Sequence, residues 1–538
     1  MRRVTRSEHI GTHPTSMKHL RCPSVPDVLS RRQRFSAGRG RACGLAAVVA
    51  VLLAGAPGCA GEPARAPGWV VVGLDAPPNS LDPRTGSDAS AVAILDLVHR
   101  GLVRTGPAGE PVPDLAVGWD TPDPVTYRFR IGDARFQDGR PVTAADVAAT
   151  YASIEQPAFQ AARRDGLELI AEVVAETSHV VRFSLREPSA TFLGAARLAI
   201  LPAACAAEAD CRIGAGPFRL GRVELDTVEI HATSTADPAP DVPGIRFTIS
   251  PDSVARALGL ARGTIDLVQN AVEPDLLPWL ESAGLEVVST PGSTFHYLGI
   301  NVRRPELSDP RVRRAIAHAI DREAIVRWVL GGHARLANGL LPPEHWSHAP
   351  VPEIGYDPAA ARRLLAEAGT AVRVSLKTST VELRRRIGEA IGAMLGDVGI
   401  VADVRPLEWA SLYGDVRRGA FDLFALAWFG IRDPDHYHAM LHSEMAPPRG
   451  SNRGGFADAE VDALTVAARG PIPRAERRAL YDRVAGIVQR DVPYVPLWWV
   501  DNVVVKNRRL AGFVPSPGGD LRSLAHASWT AQGRGGRS

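Results

Sequence analysis

The sequence predicts a multidomain α/β protein, and three observations carry that reading. Its 538 residues exceed what one hydrophobic core serves, so two to four domains are expected. Residues 372–428 alternate strand, helix, strand, helix, strand, which implies βαβ crossovers and a largely parallel sheet. A hydrophobic share of 45% with 22% charged residues is ordinary globular composition and argues against a disordered or collagen-like chain.

Trp69–Leu74 reads as a buried strand stopped by Pro77-Pro78. Asp88–Leu102 carries Val92, Leu95, Val98 and Leu102 on one helical stripe. Tyr127, Phe129 and Ile131 alternate as in a half-buried strand, and Thr143 caps a helix that reaches Ile154. Strand signals recur within Val173–Leu185, and Ala236–Val242 is a loop. Asp309-Pro310 opens a helical segment with Val312, Ile316 and Ile320 at intervals of four, and Gly331-Gly332 closes it. Asp357-Pro358 opens the next helix, which Gly369 ends. Val372, Val374 and Leu376 alternate as a strand, Leu383–Leu395 is helical, Ile400–Leu407 is a strand, Leu412–Arg418 a helix and Phe421–Trp428 a strand. Ligands of such sheets bind beyond the carboxyl ends of the strands, which directs attention to Trp428 and the residues after it.

The net charge of +3 conceals an asymmetry. Residues 1–59 hold ten Lys/Arg against two Asp/Glu, so the rest of the chain carries a net −5. A mildly acidic body without a Lys/Arg block has no nucleic-acid footprint. Arg31, Arg32, Arg34, Arg39 and Arg41 precede the apolar run Gly44–Gly55, too short to span a bilayer but suited to a signal-peptide core. The run ends in Ala56-Pro57-Gly58-Cys59, which resembles a lipobox whose cysteine becomes lipidated; the alternative is cleavage nearby and release of a soluble exported protein. Residues 60–68 read as a tether. In an exported chain, Cys205 and Cys211 are placed to close a small disulfide loop, with free thiols as the alternative.

Enzyme signatures are missing one after another: no Walker-type phosphate loop, no HExxH and no GxSxG elbow. His436, His438 and His442 fall within seven residues; they are weak metal candidates, set against polar residues on a cleft-side or solvated helix. Trp428 is the ligand-facing aromatic expected from its strand-end position, with core packing as the alternative. Adjacent residues on a strand face opposite ways, so at least one of Trp498 and Trp499 is expected to be partly exposed.

Seven segments in order now resemble the extracytoplasmic solute-binding proteins, family 5, which serve peptide and nickel ABC transporters. They are Asn79–Pro83, Phe136–Val147, Gly214–Phe218, Asp309–Arg322, Tyr356–Gly369, Phe421–Trp428 and Asp491–Leu497; Phe136–Val147 is the most specific. The resemblance implies a two-lobed periplasmic-binding-protein fold of type II, cluster C like, with an extra domain on the first lobe. Lobe I would take 69–82, 206–290 and 501–530, the extra domain 83–205 and lobe II 291–500. The function implied is capture of a peptide or peptide-like small solute, without chemistry or cofactor. The partners implied are an ABC permease and ATPase, reached by a monomer that touches the membrane only through its lipid anchor. A nickel or metallophore binder is the alternative within the family, and an exported hydrolase the alternative outside it. The ligand-binding residues implied are Ser87, Asp88, Trp428, Phe429, Gly430, Ile431, Arg432, Asp433, Asn452 and Arg453. Oligopeptide binders of this family typically place an aspartate three residues after the tryptophan, to pair with the peptide ammonium. Here that position is Ile431, with Asp433 the substitute if the loop shifts register, while Arg432 and Arg453 favour a carboxylate or phosphate.

Overall fold

A computed structural model describes residues 67–156, 159, 166–208, 210–431 and 433–530. The basic leader, Cys59 and Arg432 lie outside them. Residues Ala66–Ser538 form one compact unit.

Its strands among the described residues are β1 (Val70–Leu74), β2 (Val103–Thr105), β3 (Pro111–Pro113), β4 (Ala116–Asp123), β5 (Thr126–Ile131), β6 (Ile170–Ala175), β7 (Val180–Leu185), β8 (Phe218–Val223), β9 (Thr227–Ala232), β10 (Gly244–Ile249), β11 (Leu267–Gln269), β12 (Glu286–Ile300), β13 (Ala334–Leu336), β14 (Arg373–Ser379), β15 (Val401–Leu407), β16 (Leu423–Trp428), β17 (Tyr494–Lys506) and the short pair β18 (Leu510–Ala511) and β19 (Ser528–Trp529). One sheet runs in the order β15-β14-β16-β12-β17-β11-β1-β10-β9-β8, with β13 beside β17. The crossovers predicted from the sequence are present, since β14 pairs parallel with both β15 and β16. The sheet as a whole is mixed rather than largely parallel, because the long strands β12 and β17 enter antiparallel.

Those two strands hold the fold together. Their outer ends, Glu286–Thr290 against Asn502–Lys506, pair beside β11; their inner ends, Thr294–Gly299 against Tyr494–Val500, lie beside β16 and β13. The register slips between Thr290 and Thr294. Gly292 sits in that slip, where an added Cβ would collide with the Val500 carbonyl oxygen, so only glycine fits. Apolar clusters cover both faces of the β12–β17 half: Leu298, Leu376, Leu423 and Trp498 on one side, Phe295, Phe424, Tyr494 and Trp499 on the other. This corrects the expectation for the two tryptophans. They do face opposite ways, but each meets a core, and they are 0% and 2% exposed. A separate cluster around Val70, Phe247 and Val504 serves the β1 half, and another around Phe129, Phe183 and Phe192 serves the antiparallel sheet β4-β5-β7-β6.

Helix capping follows the sequence closely. Asp88, Asp309 and Asp357 accept backbone N–H groups at their helix starts, and Gly369 closes Pro358–Ala368 with φ at 63°. The segment from Pro310 to Gly331 is not one helix but two, Pro310–Ala319 and Arg322–Trp328. Asp321 caps the second by accepting from the Ala324 amide, while Ile320 turns extended and stays buried. Cys205 and Cys211 are joined in a disulfide, with their Cα atoms 5.7 Å apart.

Candidate functional site

The carboxyl ends of the parallel strands gather aromatic side chains. β15 runs into the helix Trp409–Arg417, whose first turns carry Trp409 and Tyr413; their rings stack with centroids 5.3 Å apart and Trp409 is 55% exposed. β16 ends at Trp428, and Phe429 beyond it is 69% exposed. Gly430 turns the chain back with φ at 62°. Trp428 lies nearly parallel to Tyr297 of β12, 6.4 Å away and 8° from coplanar, while the His436 ring meets it edge-on at 4.3 Å.

A third segment, Ser451–Phe456, brings an arginine into this ladder. Arg453 places its guanidinium carbon 4.5 Å from the Trp428 ring centre and 5.5 Å from that of Tyr413, and Nη1 donates to the Tyr297 hydroxyl at 2.9 Å. The segment is held from below. Asn452 is 1% exposed; its Nδ2 donates to the carbonyls of Leu441, His442 and Phe456, and its Oδ1 accepts from the amides of Gly455 and Phe456. Gly454 packs so close to the Ile300 carbonyl that a Cβ there would overlap it. Burial pushes the Tyr297 hydroxyl above its ordinary range against the opposing pull of Arg453, so Tyr297 remains neutral.

The sequence-predicted residues therefore separate into two groups. Trp428, Phe429, Gly430 and Arg453 come together at the strand ends. Ile431 does not join them: it is 5% exposed and packs in the core of the β12–β17 half. Asp433 is not a free carboxylate, because Arg477 binds both of its oxygens at 2.9 and 2.5 Å. Asn452 spends its hydrogen-bonding capacity on the loop. Ser87 and Asp88 stand at the turn after β1, where the Asn79 side chain bonds Ser87 and Asp88 takes the amides of Asn79 and Ala91. These roles are architectural, and the loop residues have no periodicity from which to foresee them. Tyr297, Tyr413 and Trp409 complete the site, and the sequence marks them only by the alternation of Phe295 and Tyr297 in β12 and by the i, i+4 spacing of Trp409 and Tyr413 in the helix.

The histidines form no metal centre. His438 Nδ1 lies 3.2 Å from the Thr465 hydroxyl, His442 Nδ1 accepts the Glu444 amide, and His436 packs on Trp428. Burial pushes His436 and His438 down to about 4. Among the described residues no group of three or more His, Cys, Asp and Glu side chains is placed to hold a metal ion. Nor is any helix there long and apolar enough to cross a membrane.

The family description "bacterial extracellular solute-binding proteins, family 5 middle" matches residues 110–444, well over half of the chain. The chain belongs to that family. Along 483 residues it is 28% identical to the probable di/tripeptide-binding protein 5 of Pseudomonas aeruginosa (strain UCBPP-PA14), spanning 82% of this chain and 90% of the relative. The oligopeptide-binding protein AppA of Bacillus subtilis, solved with a nonapeptide, superposes with a TM-score of 0.72 at 24% identity, covering 86% of this chain and 99% of the other. NikA of Brucella suis, solved with Fe(III)-EDTA, superposes with a TM-score of 0.79 at 22% identity, covering 86% and 100%. The two structures establish the two-lobed fold of this family-5 protein. The ladder from Trp409 to Tyr297 lies by the carboxyl ends of β15 and β16, the side of a parallel α/β sheet on which ligands generally bind.

Proposed function

We propose that this chain is the capture subunit of an ABC importer. It takes a peptide or peptide-like small solute between its lobes and hands it unaltered to a membrane permease powered by an ATPase. The single observation that supports this most is the alignment along nine-tenths of a relative whose name is a probable di/tripeptide-binding protein. The exposed aromatics at the carboxyl ends of β15 and β16 are the surfaces such a ligand would stack on.

The same reading gives residues 1–59 the role of an export leader and Cys59 that of a lipid anchor on a monomer. It assigns 69–82, 206–290 and 501–530 to one lobe, 291–500 to the other, and 83–205 to an extra domain. The protein then needs no cofactor and performs no reaction.

A thermal-shift screen of purified protein against di-, tri- and longer peptides, sugars and metal chelates tests this. The expected result is stabilisation by peptides, about 2.7 kcal/mol at a hundredfold excess over the dissociation constant. Peptide recovered afterwards should be intact by mass spectrometry. Stabilisation by sugars or metal chelates alone, or a hydrolysed peptide, would displace the reading.

A further inference from the structure

Six arginines are buried among the described residues: Arg84, Arg256, Arg313, Arg322, Arg453 and Arg477. Five are matched by carboxylates or by several carbonyls. Arg84 pairs with Asp82, Arg322 with Glu353 and Arg477 with Asp433, while Arg313 and Arg256 donate to backbone oxygens on either side. Arg453, 8% exposed, has among the described residues one hydrogen-bond acceptor for its guanidinium, the neutral Tyr297 hydroxyl, and no carboxylate within ion-pair distance. Aromatic faces hold the flat sides of the group, which leaves the in-plane N–H edge without an anion. Removing a cation from water without a counter-charge is costly unless a partner arrives.

The surroundings remove the other sign of charge. The position where an ammonium would find an acid is Ile431, sunk in the core, and the nearby Asp433 is held by Arg477. The strand-end site thus offers a fixed cation beside stacking surfaces and no free anion among the residues placed there. A guanidinium fork matches a planar carboxylate with two parallel hydrogen bonds, which singles out that group over a compact point charge.

We propose that Arg453 anchors the carboxylate of the captured solute, so that this protein selects ligands by a free acid group and not by a free amine. The proposal rests on the cleft-capture reading above, and the experiment separates the two. Calorimetric titrations of purified protein would use Ala-Ala, its N-acetyl form, its C-terminal amide and the doubly blocked form, together with N-acetylalanine, benzoate and inorganic phosphate. Amidation is expected to weaken binding roughly 10- to 100-fold, the worth of a charged hydrogen-bonded pair. N-acetylation should change it by less than about threefold, because no charged partner for the amine is lost. Arg453→Gln should bind acid and amide alike, and Arg453→Lys should retain part of the preference. If Arg453→Gln does not fold by circular dichroism, the acid–amide pair on the unaltered protein decides alone.

Equal binding of acid and amide, loss of binding on N-acetylation, or phosphate binding as tightly as the acids would each overturn the proposal. Should peptides fail while N-acetylalanine or benzoate binds in an Arg453-dependent way, the peptide reading falls and the carboxylate anchor stands. If neither peptides nor carboxylates bind, both fall.

Discussion

Arg477 grips Asp433 with both prongs, Nη1 to Oδ2 at 2.9 Å and Nη2 to Oδ1 at 2.5 Å, while its Nε donates to the Ala468 carbonyl. The side chain of Arg477 is 6% exposed and that of Asp433 38%. Asp433→Asn would strand a buried cation. Complete burial would make that cost about 3–5 kcal/mol, and the half-open carboxylate lowers it to about 2–3 kcal/mol. A shift in denaturant midpoint measures it. Peptide affinity should stay within about threefold of the unaltered protein, since the pair is structural; a loss of tenfold or more would return Asp433 to the ligand.

Asn452 is a second structural residue at the site's edge. Asn452→Ala removes five hydrogen bonds to backbone groups under Ser451–Phe456 and leaves buried partners unsatisfied. A loss of about 2–3 kcal/mol is expected in chemical unfolding. Binding should weaken too, because Arg453 loses the frame that holds it against Trp428.

Stability should fall on mild acidification. Histidine in an unfolded chain titrates near pH 6.5. Burial pushes His99 and His436 down to about 4 and His296 to about 3, with Arg384 adding to the last. Between those values the unfolded state binds more protons, so the stabilisation is complete above pH 6.5 and drains as pH falls toward 4. His296 stacks on Trp498, and His296→Phe keeps a ring there without the titration. That variant should recover about 2 kcal/mol of the loss between pH 7 and pH 5, read from denaturant midpoints at each pH.

Gly292→Ala should disturb the β12–β17 crossing, because the new methyl meets the Val500 carbonyl. A cost of about 1–3 kcal/mol is expected. The change in radius of gyration that ligand produces should also shrink, as read by small-angle X-ray scattering. An unaltered ligand response would place the flexing elsewhere.

The parts of this fold that sequence revealed are those fixed by neighbours along the chain. Asp309 and Asp357 announce their helices because the capping oxygen sits within three residues of the amide it takes. The break at Ile320-Asp321 stayed hidden, since an apolar spacing of four continued across it and masked the cap. Trp428 was legible as a strand end. Its setting was not: Tyr297 reaches it through the pairing of β12 with β16, and Arg453 through a loop shaped by Asn452 and two glycines. Ile431 and Asp433 likewise carry no mark of which way they point. In a turn outside any regular element, direction is set by tertiary partners such as Arg477, far off in the chain.

A ribbon bends where its rungs are missing and resists sideways slip everywhere else. The register slips between Thr290 and Thr294 and again between His296 and Tyr297, with paired residues before, between and after, so the two halves of the molecule share one stiff axle and not a loose leash. Whatever they grasp is met each time by surfaces returning to the same alignment, so discrimination can be written in the fixed placement of a few side chains.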